Sequence, residues 1–415
     1  MAFPHFGVRA RLAVALAAST LLVPRIACAG LGFDEAVRLA QAQAPSVAAQ
    51  QDVLAGAQAV QRAAATLPDP RLTLGVDNLP VSGADRYSLT RDFMTMQRIG
   101  LMQEMPNRAK REARAAGAQA RIERERATLV AAQLAVRRDT ALAWIAVYFA
   151  ERRAALLVDL ERENRLLIDT LDARIASGKA MPAERTMARQ DALALADRRD
   201  DAQRDIARAR ASLRRWVGER ADDALDGDPP SMDVRADVRS ELHRHAEIAP
   251  YAAMQAMARA EAAEADAEQR GDWAWEVVYS RRGPQYGDMM SVQVSIDLPW
   301  QKGQRQQPQL AAKQKDVRRI ESERDAMVRQ HSEEIEGQLA ELRALEAQRA
   351  RLESSGLPLA AERVTLATAS YQSGRGDLPS TLAARREAVE ARMRLVDLDA
   401  QRMALRVRLN SLMAE

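Results

Sequence analysis

Apolar and polar residues alternate strictly in one short stretch of the second half of the chain. Residues 291–299 read Ser-Val-Gln-Val-Ser-Ile-Asp-Leu-Pro. Successive side chains of a strand point to opposite faces, so this pattern predicts a strand with one apolar and one polar face. The apolar positions are Val292, Val294, Ile296 and Leu298, and the polar positions include Gln293, Ser295 and Asp297. A tilted strand of about nine residues is long enough to cross the hydrocarbon core of a bilayer.

Three other stretches show a similar alternation: 71–77, 93–103 and 273–280. Polar loops rich in Gly, Pro and Asp separate the first stretch from the second and the third from 291–299, so the sequence predicts two strand–loop–strand pairs. Within 93–103 the phase of the pattern changes, which predicts a β-bulge near Arg98.

Each strand pair is followed by a long run of helix-forming residues, first over 107–176 and then over 303–373. In the first run a residue suited to a helix seam recurs at every seventh position, which is typical of a coiled coil. These positions are Ile122, Leu129, Val136, Ala143, Ala150, Leu157, Asn164 and Leu171. Both runs end at a Ser-Gly turn that precedes a proline, and such turns end one helix and allow another to start.

The order of elements occurs twice along the chain. Residues 30–217 form a predicted first repeat, 218–231 a linker rich in Asp, Gly and Pro, and 232–415 a second repeat. Each repeat reads helix, strand, loop, strand, long helix, turn, helix. Two shorter helices placed end to end match the length of the long one, so the strands are expected at one end and the turns at the other.

Residues 1–29 are predicted to be a secretory signal peptide. Arginines precede the apolar run 12–23, and Ala27-Cys28-Ala29 provides a small-x-small cleavage site. Lipidation of Cys28 is the alternative, which Arg25 disfavours. The chain has 61 Lys+Arg and 58 Asp+Glu, and residues 1–29 hold three arginines and no acid, so the remainder carries 58 of each. A neutral mature chain argues against nucleic acid as a partner.

Catalytic and metal sites have little support in the sequence. The chain has four histidines, and neither a nucleophile–base pairing nor a phosphate-binding loop is apparent. His243, His245 and His331 lie in polar surroundings and are expected on solvated surface. The sequence therefore predicts neither an enzyme nor a cofactor. No run after the signal peptide is long and apolar enough for a membrane helix.

Four amphipathic strands cannot close a membrane barrel alone, so the chain is expected to oligomerise. The paired strands between long helices, the repeat and the Ser-Gly-x-x-x-Pro turn resemble TolC-type outer-membrane factors, over about residues 30–415. This resemblance implies a mainly α fold with a small β part. It also implies a homotrimer with a periplasmic α-barrel and a shared 12-stranded outer-membrane β-barrel. Its implied partners are outer-membrane lipid, a periplasmic adaptor and an inner-membrane pump.

Residues 92–106, together with 77–80, resemble the subgroup that serves heavy-metal resistance–nodulation–division (RND) pumps. This resemblance implies a passive exit duct for heavy-metal cations. Some relatives carry paired acids after the second turn, but Ser380 and Ala383 stand there, which leaves Asp377 as the nearby acid. A duct for drugs or for type I protein secretion is the alternative, and a periplasmic adaptor or coiled-coil scaffold is disfavoured by the duplication and the amphipathic strands.

The strand alternation and the resemblance together predict roles for individual residues. The expected barrel-lumen residues are Arg98, Gln293, Ser295 and Asp297. The expected lipid-facing residues are Val292, Val294, Ile296 and Leu298. The expected interface aromatics are Trp273, Trp275 and Trp300. The expected adaptor-docking rim is Gly178, Lys179, Gly374, Arg375 and Asp377. Six methionines near the strands are interpreted as apolar packing or, alternatively, as soft ligands for Cu(I): Met94, Met96, Met102, Met105, Met289 and Met290.

Overall fold

The computed structural model describes residues 30–413, so the predicted signal peptide and Cys28 lie outside the described residues. The first half contains β1 (Leu31–Gly32), α1 (Phe33–Gln43), α2 (Pro45–Ala64), β2 (Arg71–Asp77), β3 (Met96–Met105), α3 (Arg108–Ala176) and α4 (Pro182–Val217). The second half contains β4 (Leu225–Asp226), α5 (Ala249–Ala267), β5 (Trp273–Arg281), β6 (Met289–Ile296), α6 (Gln306–Arg351), α7 (Leu357–Gln372) and α8 (Leu378–Asn410). The predicted mainly α fold with a small β part is confirmed.

The longest element, α3, has 69 residues, or about 100 Å at 1.5 Å per residue. Asn107 caps its start, because its side chain accepts a 2.9 Å hydrogen bond from the Lys110 amide. All the predicted seam positions are buried except Leu129, which is partly buried. Asn164 is 4% exposed, and its amide nitrogen donates to the Ala188 carbonyl at 3.4 Å. The seam therefore packs α3 against its neighbours along most of its length.

The second long helix is interrupted where the sequence predicts continuity. A π-helical turn, Leu352–Gly356, joins α6 to α7, and the Leu357 amide bonds to the Leu352 carbonyl. Pro358 follows directly, and a proline inside a helix lacks an amide hydrogen and clashes with the preceding turn. The wider π turn accommodates this proline without ending the helix.

The second repeat, predicted to begin with a helix, begins differently in the structure. Residues 236–248 instead form two 3₁₀ turns, Ala236–Arg239 and Leu242–Arg244, and α5 starts only at Ala249. The backbone of this segment bonds to the end of the chain, since the Ala246 amide donates to the Leu412 carbonyl at 3.0 Å. Tertiary contacts therefore replace the local helix here.

Four strands form one antiparallel sheet in the order β2-β3-β5-β6. Its register is continuous from Arg71 opposite Met102 to Asp77 opposite Met96, and β3 pairs with β5 without a break. The predicted bulge near Arg98 is therefore wrong. β3 starts only at Met96, so Met94 belongs to the preceding loop, and Met96 lies on the face of Arg98, opposite to that of Ile99 and Leu101.

The main core lies in the middle of the helices, around Trp144, which is fully buried. Its indole nitrogen donates to the Leu31 carbonyl at 2.9 Å, and Leu31 pairs with Leu225 in the short parallel sheet β1–β4. This contact fixes the start of the first half to the segment that joins the halves. None of the helices within residues 30–413 is long and apolar enough to cross a membrane.

Candidate functional site

One face of the four-stranded sheet is apolar and exposed. The cross-strand register aligns apolar residues in rows, and two of these rows are Leu72–Leu101–Val277–Val292 and Leu74–Ile99–Tyr279–Met290. Val292, Val294 and Ile296 of β6 share this face and are 58–68% exposed. A continuous exposed apolar surface of this kind marks a site that contacts lipid or another protein.

The opposite face of the sheet is polar and carries an ion-pair network. The Arg98 guanidinium lies 3.3 Å from Asp77 and 3.4 Å from Glu276, and the Thr73 hydroxyl donates to Glu276 at 3.3 Å. Gly100 lies between them. A Cβ there would approach the Thr73 Oγ1 atom to 2.5 Å and Glu276 Oε1 to 3.0 Å, so a larger residue would disturb the network.

Three of the four predicted lumen residues lie on this polar face. Gln293 is paired with Glu276, and Ser295 with Ala274, so both share the face of Arg98. Asp297 and Leu298 follow the end of β6 at Ile296, so strand alternation does not determine their faces. The Asp297 amide instead donates to the Asp272 carbonyl at 2.8 Å.

Glu276 is not among the predicted lumen residues, although the sequence contains a signal for it. It occupies a polar-face position of β5 between the apolar-face residues Trp275 and Val277. Its partner Arg98 is 178 residues away in the sequence, so only the fold brings the two together.

The predicted interface aromatics lie near the helical end of the sheet. Trp273 and Trp275 occupy the apolar face, opposite Ile296 and Val294 respectively. Trp300 follows the strands and is 85% exposed. The methionines are divided between both faces: Met102 and Met289 share the face of Arg98, whereas Met105 and Met290 share the face of Val292. This division does not favour a single cluster of thioether ligands.

Both Ser-Gly turns have the same local geometry. Gly178 and Gly374 adopt φ angles of 70° and 74°, which favour glycine. The Lys179 amide donates to the Arg174 carbonyl at 2.8 Å, and the Arg375 amide donates to the Ser370 carbonyl at 3.0 Å. These are Schellman caps, in which a left-handed glycine lets the last carbonyls of a helix find amide donors. Lys179 and Arg375 are exposed at the turns.

Asp377 has a structural role at the second turn. Its carboxylate accepts a 2.9 Å hydrogen bond from the Ser380 amide and so caps the start of α8. Hydrogen bonds from Ser380 hold the pKa of Asp377 below its usual value. Capping alone is therefore sufficient to explain an acid at this position.

The two turns lie at the same end of the helices, as predicted. One buried cluster there joins Leu171 of α3, Ala188 of α4, Tyr371 of α7 and Leu378 of α8. The Tyr371 hydroxyl donates to Glu184, and the Arg174 guanidinium lies over its ring, 4.2 Å from the centroid. Burial and the Glu184 carboxylate raise the pKa of Tyr371 to about 12. This contact has no signal in the sequence, because Tyr371 and Glu184 are 187 residues apart.

No protein-family model matches the chain, and no curated protein matches it significantly. Solved structures do. The outer membrane protein VceC from Vibrio cholerae has a TM-score of 0.78 at 19% identity, with 92% of this chain and 95% of that chain covered. A membrane protein from Pseudomonas aeruginosa has a TM-score of 0.79 at 18% identity, with 92% and 90% covered. CusC, described as forming a transmembrane channel, has a TM-score of 0.76 at 13% identity, with 92% of both chains covered.

The chain has the TolC-type outer-membrane channel fold. The predicted resemblance is thereby confirmed at the level of the fold. Within this fold the sheet and the paired turns occupy opposite ends of one helical body. The chain therefore offers two candidate sites: the two-faced sheet and the turn end.

Proposed function

We propose that this protein is the outer-membrane exit duct of a tripartite efflux system. It lies in the outer membrane and extends into the periplasm as a passive channel. The observation that carries this proposal is the two-faced sheet at one end of helices about 100 Å long. The exposed apolar face suits lipid, and the Arg98–Glu276 network on the other face suits a water-filled lumen.

The channel is a homotrimer in this proposal. β2 and β6 are the outer strands of the sheet, and each has one edge without a partner strand within the described chain. Open strand edges are not tolerated in lipid, and closed membrane barrels have about eight strands or more. Three copies joined from β2 to β6 give a closed barrel of twelve strands. Residues 30–217 and 232–415 act as two repeats, each of which contributes one strand pair and helices that reverse at a Ser-Gly turn.

The turn end is the adaptor-docking rim of the proposed channel. Gly178, Lys179, Gly374, Arg375 and Asp377 belong to this rim, where a periplasmic adaptor would connect the channel to an RND inner-membrane pump. The shared position of both turns at one end and the exposed Lys179 and Arg375 support this assignment. Asp377 contributes chiefly by fixing the start of α8.

Heavy-metal cations are the proposed cargo, supported by the resemblance of residues 92–106 to the heavy-metal subgroup. VceC and CusC share this fold at 19% and 13% identity, and a shared fold does not determine a cargo, so drug efflux and type I protein secretion remain alternatives. The polar face presents Arg98 bridged by two acids rather than a cluster of free acids. Selection of the cargo is therefore assigned to the pump and not to the duct.

A deletion strain tests this function directly. Its growth should become sensitive to heavy-metal salts, and plasmid-borne wild-type protein should restore tolerance. A variant with Trp at both Gly178 and Gly374 should fail to restore it while remaining in the outer-membrane fraction. Sensitivity to drugs alone, or loss of a secreted protein alone, would transfer the cargo assignment to the corresponding alternative. Unchanged growth and secretion under every condition would contradict the efflux function.

A further inference from the structure

Two histidines form a buried pair far from both candidate sites. His245 is 0% exposed and His331 is 2% exposed, so their predicted position on solvated surface is wrong. His331 Nε2 lies 2.8 Å from His245 Nδ1, and the rings meet edge to face at 84°. His243, two residues from His245, is exposed. Because the two titratable rings are buried in contact, the positions of their protons determine whether the contact can form.

The pair joins three parts of the chain. His245 follows the second 3₁₀ turn and forms a β-bridge with Met413 at the end of the described chain. His331 lies in α6, one helical turn before Ile335. Val238 and Ile335 belong to the hydrophobic cluster next to the pair, together with residues of α8. The contact therefore fastens the segment 236–248, and with it the end of α8, onto α6.

The 2.8 Å contact restricts the protonation of the pair. One of the two facing nitrogens must carry a hydrogen and the other must offer a lone pair. If both rings were protonated, two N–H groups would face each other and the contact would break. The pair can therefore hold one proton beyond its neutral state, but not two.

The charged groups around the two rings differ. The outer nitrogens of both rings, His245 Nε2 and His331 Nδ1, are buried without a hydrogen-bond partner. His331 Nδ1 lies 3.7 Å from Glu247, which precedes α5, and 3.7 Å from Glu334 on α6. Burial, His331 and His243 oppose a proton on His245, whereas the Val238 backbone and Asp237 favour one. Two carboxylates therefore flank His331, and the groups around His245 on balance oppose a charge on that ring.

We propose that the His245–His331 contact is an acid-sensitive joint, in which a second proton releases residues 236–248 from α6. The released state exposes the Val238 side of the neighbouring cluster and frees the end of α8. The strands and the turns are not part of the joint. The proposal therefore does not depend on the cargo or on adaptor docking.

The direction of the pH effect follows from the protonation of His245. Burial and the adjacent His331 lower the pKa of His245 to about 4, from 6.5 for the free side chain. Between these values the released segment takes up a proton that the docked segment does not, so docking weakens as the pH falls. Across the whole window the ratio of docked to released segment should fall on the order of a hundredfold.

Hydrogen–deuterium exchange of the full-length protein in detergent tests the joint. With EDTA present and intrinsic rates corrected for pH, peptides covering 236–248 should lose protection between pH 7 and pH 4.5, while peptides of α3 keep it. His245→Phe should abolish this local response, because phenylalanine cannot take up a proton. The matched control is His243→Gln, which should keep the wild-type response.

Several results would overturn the proposal. Wild-type protection of 236–248 that does not change down to pH 4.5 would do so without any variant, even if His245→Phe failed to assemble. An equal acid response in wild type and His245→Phe would also contradict it. Protection that follows added Zn²⁺ and not pH would make the pair part of a metal site. Within residues 30–413, no three His, Cys, Asp or Glu side chains are placed to hold a metal ion.

Discussion

At the scale of single residues, the two turn glycines have a conformational role and no packing role. No atom lies within 4 Å of the position that a Cβ would occupy at Gly178 or Gly374. Glycine is therefore explained by the positive φ angles at these positions, because the left-handed region costs other residues about 1–2 kcal/mol. Exposed turns that are held by backbone geometry can present side chains without packing constraints.

Gly374→Ala should lower the free energy of unfolding by about 1–2 kcal/mol because of the left-handed backbone. Gly337 provides the matched control, because it lies within α6 with open space around it. Gly337→Ala should therefore raise the free energy of unfolding by about 0.5–1 kcal/mol. Denaturant or thermal unfolding of the two variants shows whether each substitution lowers or raises the free energy of unfolding. A stabilised Gly374→Ala variant would show that the turn does not need its left-handed residue.

Tyr371→Phe tests the contact between two helical hairpins, α3–α4 and α7–α8, at the turn end. Loss of the hydroxyl removes the donor to Glu184 Oε2, while the Met181 amide still donates to Oε1, and it should cost about 1–3 kcal/mol. Glu184→Gln keeps an acceptor oxygen and should cost less. Hydrogen exchange of peptides covering 171–188 and 371–382 should rise in Tyr371→Phe. Unchanged exchange in both peptides would mean that the buried apolar cluster alone holds the hairpins together.

At the scale of elements, the sheet acts through the difference between its faces. Cross-strand partners share a face of the sheet. The register of the four strands therefore places their apolar residues on one surface and their polar residues on the other. A slip of one residue would reverse every side chain of a strand. The Arg98 pairs with Asp77 and Glu276 add a polar constraint on this register across three strands.

In the proposed channel Val294 faces lipid, so Val294→Arg should prevent or weaken assembly, because a cation on a lipid-facing strand near the bilayer midplane costs about 2–4 kcal/mol. Ser295→Arg, the adjacent residue on the polar face, is the control and should assemble normally. Heat-modifiable electrophoresis of outer-membrane fractions measures the assembled fraction. Equal tolerance of both substitutions would contradict the assignment of the two faces.

At the scale of the whole molecule, a single chain leaves the apolar face of its sheet uncovered. In the proposed channel, lipid and other copies of the chain cover the open edges of β2 and β6 and the exposed face around Val292. In mild detergent the mature protein should therefore migrate near three times the monomer mass and shift to monomer on boiling. A monodisperse monomer that remains soluble without detergent would exclude the membrane-embedded trimer.

The sequence by itself determined the elements whose signal is local. The alternation in 71–77 predicts β2 with the same limits, and the seven-residue period predicts the buried seam of α3 through Asn164. Both Ser-Gly turns are predicted because a left-handed cap requires a particular residue at one position. The side-chain period of a strand or helix and the backbone preference of a turn residue depend on residues that are close in the sequence. The linear pattern can therefore reveal them.

Only the tertiary structure decided the features that join distant residues. The sequence placed His245 and His331 on the surface, yet the fold buries them against each other across 86 positions. Residues 236–248 lose their predicted helix because their backbone bonds to the end of the chain, and Glu276 gains Arg98 as a partner. Such contacts depend on which elements become neighbours, and packing free energy then overrides local preference.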